Sequence, residues 1–323
     1  MTRREDFPIS LRLSVTDRCQ LHCLYCAPPD AEEKLSLPEI LSFDEIIRFV
    51  RIVKRRFGVS KVHITGGEPL LRPGVTDFVA RVAAEKVADL ALTTNGQLLS
   101  TIAPGLGRAG LHRVNISLDS LNAKTFRWLT RGGELDRTLT GIEAAPRYGL
   151  SPVKLNVTVL RNVNSHELAD VARFGLERGC QVRFLELMPI GPAAEQFGDL
   201  FVSSAEVRTK LGEAFDLKPA ISPSNSSSRN YLATDKQGRT GIIGFISSQT
   251  APFCRDCRRL RLTATGQLIG CLARGEGPNI RPFLQDDDSC ASELFVETIR
   301  DTLRLKRNAG RFSTKELMAK VGG

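Results

Sequence analysis

Cys19, Cys23 and Cys26 follow one another with the spacing C-x3-C-x2-C, and Cys254, Cys257 and Cys271 with C-x2-C-x13-C. Three thiolates can hold three irons of a four-iron cluster and leave the fourth iron a free coordination position. An iron with a free position can bind a substrate, whereas a fully ligated cluster mainly carries electrons. Two such triads in one chain point to two substrate-binding clusters. The remaining two of the eight cysteines, Cys180 and Cys290, stand alone. Disulfides are one alternative. Met1–Ser10 holds no apolar signal segment, and 323 residues can build a core without staples, so this reading is disfavoured. Zinc is the other. His22 could complete a Cys3His set, but its place between two closely spaced cysteines makes that geometry awkward. No histidine lies beyond His166, so only Cys290 could bring a nearby fourth ligand to the second triad. Iron–sulfur is the preferred reading of both groups.

Composition bounds the partners. Apolar residues make up 41% of the chain, enough for a sizeable core in one large domain or one and a half. No stretch approaches the length of a membrane span, and Gly241–Ile246, apolar but short, reads as a buried strand. The net charge is +9, and arginine far outnumbers lysine. An ordinary basic surface would give the same count. Guanidinium groups also suit bidentate capture of phosphate oxygens, which favours an anionic substrate over a neutral one. Nucleic acid is disfavoured, because no run of five basic residues occurs and aromatics are only 6%. Oxygen-sensitive clusters and unpaired thiols point to a reducing cytoplasm.

The elements that must position these groups are legible as an alternation. From Leu11 to Met188 short β-branched runs alternate with helical stretches, the signature of parallel βα units. Strands are expected at Leu11–Val15, Val62–Thr65, Leu90–Thr94, Arg113–Leu118, Val153–Leu160 and Val182–Leu187. Ser42-x-x-Glu45 is a capping box opening a helix that runs to Phe57 and stops at Gly58. Asn164 or Ser165 is expected to cap a helix ending near Gly179, and Ser203-x-x-Glu206 to cap another. Six such units predict an α/β fold, an incomplete (βα)6 TIM-type barrel with an open mouth. The first triad, Gly66-Gly67-Glu68-Pro69, Thr93-Thr94-Asn95-Gly96, Ser117-Leu118-Asp119 and Glu186-Leu187-Met188-Pro189 then all fall at the carboxyl ends of strands, where barrel enzymes build their sites. Any one could be turn chemistry; five in succession at one face is hard to obtain from turns. The run Pro223-Ser224-Asn225-Ser226-Ser227-Ser228 reads as a flexible boundary, dividing a barrel over 1–222 from a C-terminal α+β extension over 223–323. That extension carries the second triad. Strands are expected in it near Ile242–Ile246, Arg259–Thr263 and Gln267–Leu272, with a turn at Thr265-Gly266 and a closing amphipathic helix over about Ser292–Leu305.

The first triad with Tyr25 before its last cysteine, followed by Gly66-Gly67-Glu68-Pro69, resembles the radical S-adenosylmethionine (SAM) enzymes. The second triad and the terminal Gly322-Gly323 resemble, within them, the GTP 3′,8-cyclases of molybdenum cofactor biosynthesis. The resemblance runs from about Leu11 to Gly323. It implies two [4Fe-4S] clusters, the first binding SAM and the second holding guanine. Tyr25, Gly67, Ser117 and Met188 match SAM-contacting positions. Arg12, Lys61, His63, Thr93, Lys154, Arg183, Arg259 and Arg261 match positions that contact GTP, and Gly322-Gly323 would reach back into the site. On residues alone Gly66-Gly67 allows a ligand close to the backbone, Met188 reads as core, and the last glycines as a frayed end. Arg259 and Arg261 alternate with Leu260 and Leu262, so both share one face of a strand. The implied chemistry is cleavage of SAM to a 5′-deoxyadenosyl radical, hydrogen removal from C3′ of GTP, attack on C8, and reduction to 3′,8-cyclo-7,8-dihydro-GTP. Implied partners are a reduced flavodoxin- or ferredoxin-type electron donor and a downstream cyclic pyranopterin monophosphate synthase; a homodimer is compatible with the resemblance.

Three departures from the family pattern stand out. His63 sits where arginine is usual, a shorter and only partly charged donor. Ala27-Pro28 replaces Met-Pro. Cys290 is extra, read as a buried thiol at a helix start rather than a fourth cluster ligand. Two other function classes compete: a two-cluster radical SAM enzyme modifying a peptide, and a non-enzymatic iron–sulfur carrier or zinc module. The arginine pair and the Gly-Gly tail favour the nucleotide, and a carrier would not need five loop motifs at one face.

Overall fold

The barrel begins with strands whose alternate residues are buried on opposite sides. In the computed structural model, which describes residues 8–27, 34–222, 226–254, 257–273, 275–285 and 293–304, β1 (Ile9–Ser14) turns Ile9, Leu11 and Leu13 outward, each with no solvent exposure. Ser10 and Arg12 face the other way, into the barrel. The units continue as α1 (Phe43–Phe57), β2 (Val59–Thr65), α2 (Val75–Ala84), β3 (Asp89–Thr94), α3 (Leu99–Arg108), β4 (Arg113–Ser117), α4 (Ala123–Thr130), α5 (Leu135–Arg147), β5 (Lys154–Val159), α6 (Leu168–Glu177) and β6 (Gln181–Glu186). All six expected strands are present, with ends shifted by at most three residues. In α1 the Ser42 hydroxyl accepts from Glu45 N at 3.1 Å while Glu45 Oε2 accepts from Ser42 N at 2.6 Å. The helix ends at Gly58, whose φ of 71° only glycine adopts without cost. Between these ends Ile46, Ile47, Phe49, Val50, Ile52 and Val53 are buried, about 1.5–3 kcal/mol for each side chain.

After β6 come α7 (Phe197–Leu200), α8 (Ser204–Gly212), β7 (Phe215–Pro219), β8 (Arg229–Asp235), β9 (Thr240–Ile246), β10 (Arg259–Leu262), β11 (Leu268–Ile269) and α9 (Glu293–Arg304). The strands form one sheet in the order β11-β10-β1-β2-β3-β4-β5-β6-β9-β8-β7. β10 lies parallel to the outer edge of β1 and β9 parallel to that of β6. The six expected parallel strands thus gain one more at each end, both from the last third of the chain, and the ends do not pair. Arg281 fastens this last third to α1: its Nε lies 3.1 Å from Glu45 Oε1 and its Nη1 donates to Pro38 O at 2.9 Å. Among the described residues no helix is long and apolar enough to cross a membrane.

Several expectations need correction. Neither Asn164 nor Ser165 caps α6; the cap position is Glu167. The Asn164 amide is spent elsewhere: Oδ1 accepts from Leu160 N, and Nδ2 donates to the carbonyls of Asp119 and Thr158, each at 2.8 Å. β7 and β8 were not anticipated, because most of their residues are exposed or half-buried and leave little apolar alternation. Of Gln267–Leu272 only Leu268 and Ile269 form strand. Cys290, Pro28, residues 223–225, Ser292, Leu305 and the Gly322-Gly323 tail lie outside the described residues.

Candidate active site

At the carboxyl ends of the strands opens a cavity of about 390 Å³ lined by both cysteine triads. The same wall carries Arg12, Tyr25, Lys61, His63, Gly67, Thr93, Ser117, Arg183, Met188, Arg259 and Arg261. The structure therefore brings together residues that lie up to 259 positions apart in sequence, Arg12 and Cys271, with three exceptions among those expected. Lys154 does not line the cavity, and Gly322 and Gly323 are not described. Met188 both faces the cavity and packs against Ile190, Ile269 and Leu272.

The loop carrying the first triad is fixed from several sides. Gly67 N donates to Thr16 O and Glu68 N to Arg18 O, both at 2.7 Å. A Cβ at Gly67 would stand 2.4 Å from Arg18 O, and one at Gly66 2.5 Å from Thr16 O. The glycine pair thus admits the cysteine loop's own backbone, and both glycines also line the cavity. Glu68 is buried and locked by Leu70 N, Thr94 Oγ1 and Asn95 N; burial pushes its carboxyl up to about 7 against those hydrogen bonds. Tyr25 donates its hydroxyl to Asp119 Oδ2 at 2.6 Å, and Asp119 Oδ1 accepts from Thr158 N at 2.7 Å. Burial raises Asp119 to about 6.

The thiols suit a cluster. Burial pushes Cys19 up to about 11 and raises Cys23 well above its ordinary value, with help from Cys26, Asp119 and Cys19. Left bare, these groups are protonated at neutral pH; bound iron is what stabilises them as thiolates. Leu21 N and Asn95 Nδ2 already point at Cys19 Sγ, at 3.4 and 3.7 Å, the kind of donor that steadies a ligating sulfur. Cys257 N donates to Cys254 O across the short second-triad turn.

The barrel interior is a ring of cations. Pairing of β10 on β1 sets Arg259 beside Ser10 and Arg261 beside Arg12, and β2 sets His63 on the other side of Arg12. Burial, then Arg261, Arg259 and Arg183, hold Arg12 well below its ordinary value. Arg183 falls to about 10 through burial and Arg113, and Arg261 to about 10 through burial and Arg259. Lys61 falls to about 8 by burial and Arg113, and Lys154 to about 7 by burial and Arg183. Asp89 is the carboxylate among them. Burial opposes its charge, yet the bidentate Arg113 at 3.0 and 2.9 Å and Lys61 at 3.3 Å keep it below the usual range. Cations crowded this closely repel one another, and a polyanion relieves that repulsion.

Residues missed from sequence include Asp119, Arg113, Asn156 and Ser248. Asp119 closed a recognised strand-end cluster, and Arg113 alternates with Asn115 and Ser117 on β4, so a period-two signal was there to read. Asn156 Oδ1 and Ser248 Oγ are buried in the cavity wall without a partner among the described residues.

Comparison with known proteins agrees with this geometry. Residues 13–175 match the Radical SAM superfamily and residues 180–312 match Molybdenum Cofactor Synthesis C. A GTP 3′,8-cyclase of Geobacter sulfurreducens is 41% identical over 321 residues, covering 97% of this chain and 96% of that protein. One from Petrotoga mobilis is 38% identical over 319 residues, covering 97% of each. The crystal structure of Streptococcus suis SuiB bound to S-adenosylmethionine superposes with a TM-score of 0.65 over 94% of this chain and 68% of that one, at 16% identity, a likeness of fold alone. A site built from two cysteine triads on a partial barrel, carried by a sequence so close to these relatives over nearly its whole length, belongs to the GTP 3′,8-cyclase family of radical SAM enzymes.

Proposed function

We propose that this chain converts GTP to (8S)-3′,8-cyclo-7,8-dihydroguanosine 5′-triphosphate, the first step of molybdenum cofactor biosynthesis. The observation that carries the reading is that one cavity is lined by two thiol triads and by Arg12, Lys61, Arg183, Arg259 and Arg261. Cys19, Cys23 and Cys26 would hold a [4Fe-4S] cluster, with Tyr25, Gly67, Ser117 and Met188 around SAM. Cys254, Cys257 and Cys271 would hold a second [4Fe-4S] cluster, whose free iron would take the guanine base. When bound, the first cluster and SAM supply a one-electron cleavage whose carbon radical can take hydrogen from a ribose carbon.

The chain's own contribution is position and charge. Arginines converging from β1, β6 and β10 fix the phosphates by charge-assisted hydrogen bonds, which sets the ribose between the two triads. Thr93 and Lys61 extend that grip from β3 and β2, and His63 adds a neutral donor. Lys154 would act from beneath the cavity wall through the charge field it shares with Arg183. The Gly322-Gly323 tail would complete the site. A flavodoxin- or ferredoxin-type protein would supply electrons, and a cyclic pyranopterin monophosphate synthase would take the product; a homodimer fits the same reading. The test is an oxygen-free reaction of iron–sulfur-reconstituted protein with SAM, reductant and GTP, followed by mass analysis. A nucleotide of the same mass as GTP but separated from it by chromatography, or its hydrolysis fragment, and 5′-deoxyadenosine formed only when GTP is present, is the expected result. 5′-Deoxyadenosine formed equally well without GTP, with the nucleotide unchanged, counts against it.

A further inference from the structure

We propose that the outer face of α4 is the docking surface for the protein that delivers electrons to the first triad, and that this partner is an acidic, low-potential one-electron carrier. The inference rests on the function proposed above, since such a chain has to be reduced from outside.

α4 is held in place by its inner side, where Phe126, Leu129 and Thr130 are buried. Its outer stripe is Lys124, Arg127, Trp128 and Arg131, spaced i, i+3, i+4 and i+7, one continuous face of a helix and its C-cap. Lys124 and Arg127 are exposed, and Trp128 leaves 57% of its surface in solvent. A large aromatic flanked by cations is uncommon on a surface with no partner and typical of a protein-binding one.

Among the described residues no carboxylate neutralises the charges on this face. Several surface arginines elsewhere pair with carboxylates, such as Arg51 with Glu85 at 2.7 Å, Arg161 with Glu206 at 2.8 Å and Arg173 with Asp170 at 2.7 Å. Among the described residues Lys124, Arg127 and Arg131 form no ion pair. Their field is left for a partner, and its sign asks for an acidic one.

The last turn of α4 and its C-cap Arg131 adjoin the cysteine loop. His22 N donates to Thr130 O at 3.1 Å and Leu24 N to Leu129 O at 3.0 Å, flanking Cys23 on both sides. Arg131 Nη1 donates to Ala27 O at 3.1 Å, just past Cys26. A carrier seated on Trp128 would therefore meet the helix whose last turn is bonded to the loop of the first triad. On each encounter the carrier loses one electron and the cluster gains it; no atom changes hands.

The test uses the reconstituted full chain, a flavodoxin-type protein as donor, and the variants Lys124→Glu/Arg127→Glu and Trp128→Ala. Donor affinity is measured directly by calorimetry, and 5′-deoxyadenosine formation is driven either by that donor or by dithionite. The expected result is a loss of donor affinity of about tenfold or more in both variants. Wild-type binding should weaken with salt, and the rate with dithionite should not change. Unchanged donor affinity in the double charge reversal overturns the proposal. So does an equal rate loss under both reductants without a binding defect, or loss of self-association in place of donor binding, which would assign the face to a second copy of the chain. If the wild type makes no 5′-deoxyadenosine even with dithionite, the proposed function fails, while the affinity comparison still decides the docking surface.

Discussion

His63 sits where a cation would be repelled from four directions. Burial, then Arg12, Lys61, Arg113 and Arg183, hold its imidazole well below the ordinary value, so it is neutral. Its tautomer is fixed as well. Arg113 Nη1 donates to Asn115 Oδ1 at 2.9 Å, which turns the Asn115 amide nitrogen toward His63 Nε2 at 3.1 Å and leaves the ring proton on Nδ1. Nε2 also meets Thr93 Oγ1 at 2.6 Å. A neutral donor grips a phosphate more weakly than a guanidinium. His63→Arg is expected to lower KM for GTP by about three- to tenfold, a charge-assisted contact less some added repulsion. The empty protein should lose thermal stability and regain more of it on nucleotide addition. Steady-state kinetics showing no change or a higher KM would count against this. Lys154 and Lys61 carry a second expectation. Their folded values of about 7 and about 8 lie below the ordinary 10.5, so between roughly pH 7 and 10 the unfolded chain binds more protons than the folded one. Empty-state stability should therefore rise with pH across that window. Nucleotide binding has the opposite sense: bound phosphates raise both lysines, so protons are taken up and affinity falls from pH 6.5 to 8.5. Calorimetry in buffers of different ionisation heat measures that uptake directly, and none at pH 8 would refute it.

Among the elements, the tightest constraint is where the Gly66-Gly67 turn after β2 meets the cysteine loop after β1. A methyl group at Gly67 would overlap the Arg18 carbonyl, and backbone cannot yield there without moving Cys19. Gly67→Ala is expected to halve the iron bound after anaerobic reconstitution by emptying one triad, with the second retained. Full iron content in that variant would show that the loop can shift without losing its cluster. The sequence marked this junction, because strand-end motifs declare themselves by residue type, and alternation put Arg259 and Arg261 on one face. It did not reveal that β10 lies on β1 and so sets Arg261 against Arg12. Pairing between residues so far apart leaves no local trace. Asn164 misled for a related reason: its side chain looked like a cap but serves the Thr158 carbonyl of β5, the Leu160 amide and the Asp119 carbonyl, the last of which only the fold brings near.

For the whole molecule, the last third of the chain is more than an appendage bearing a cysteine triad. β9 and β10 cover the two edges that six strands alone would leave bare, on β6 and β1. A chain cut after residue 222 is expected to aggregate rather than fold to a soluble barrel, since unpaired parallel edges recruit other chains. A monodisperse, cooperatively melting fragment would overturn that. The same topology explains why the six-strand barrel was legible and its completion was not: β1 to β6 follow each other in sequence and space, whereas β9 and β10 join from opposite sides. The basic interior has a further effect on turnover. The phosphates it grips take no part in bond-making, so a cyclised nucleotide leaving the chamber carries the same handle as the one that entered. Attraction of this uniform kind cannot distinguish the two. Product should therefore compete with fresh substrate at comparable concentration, and turnover should slow as it accumulates unless a later enzyme draws it off.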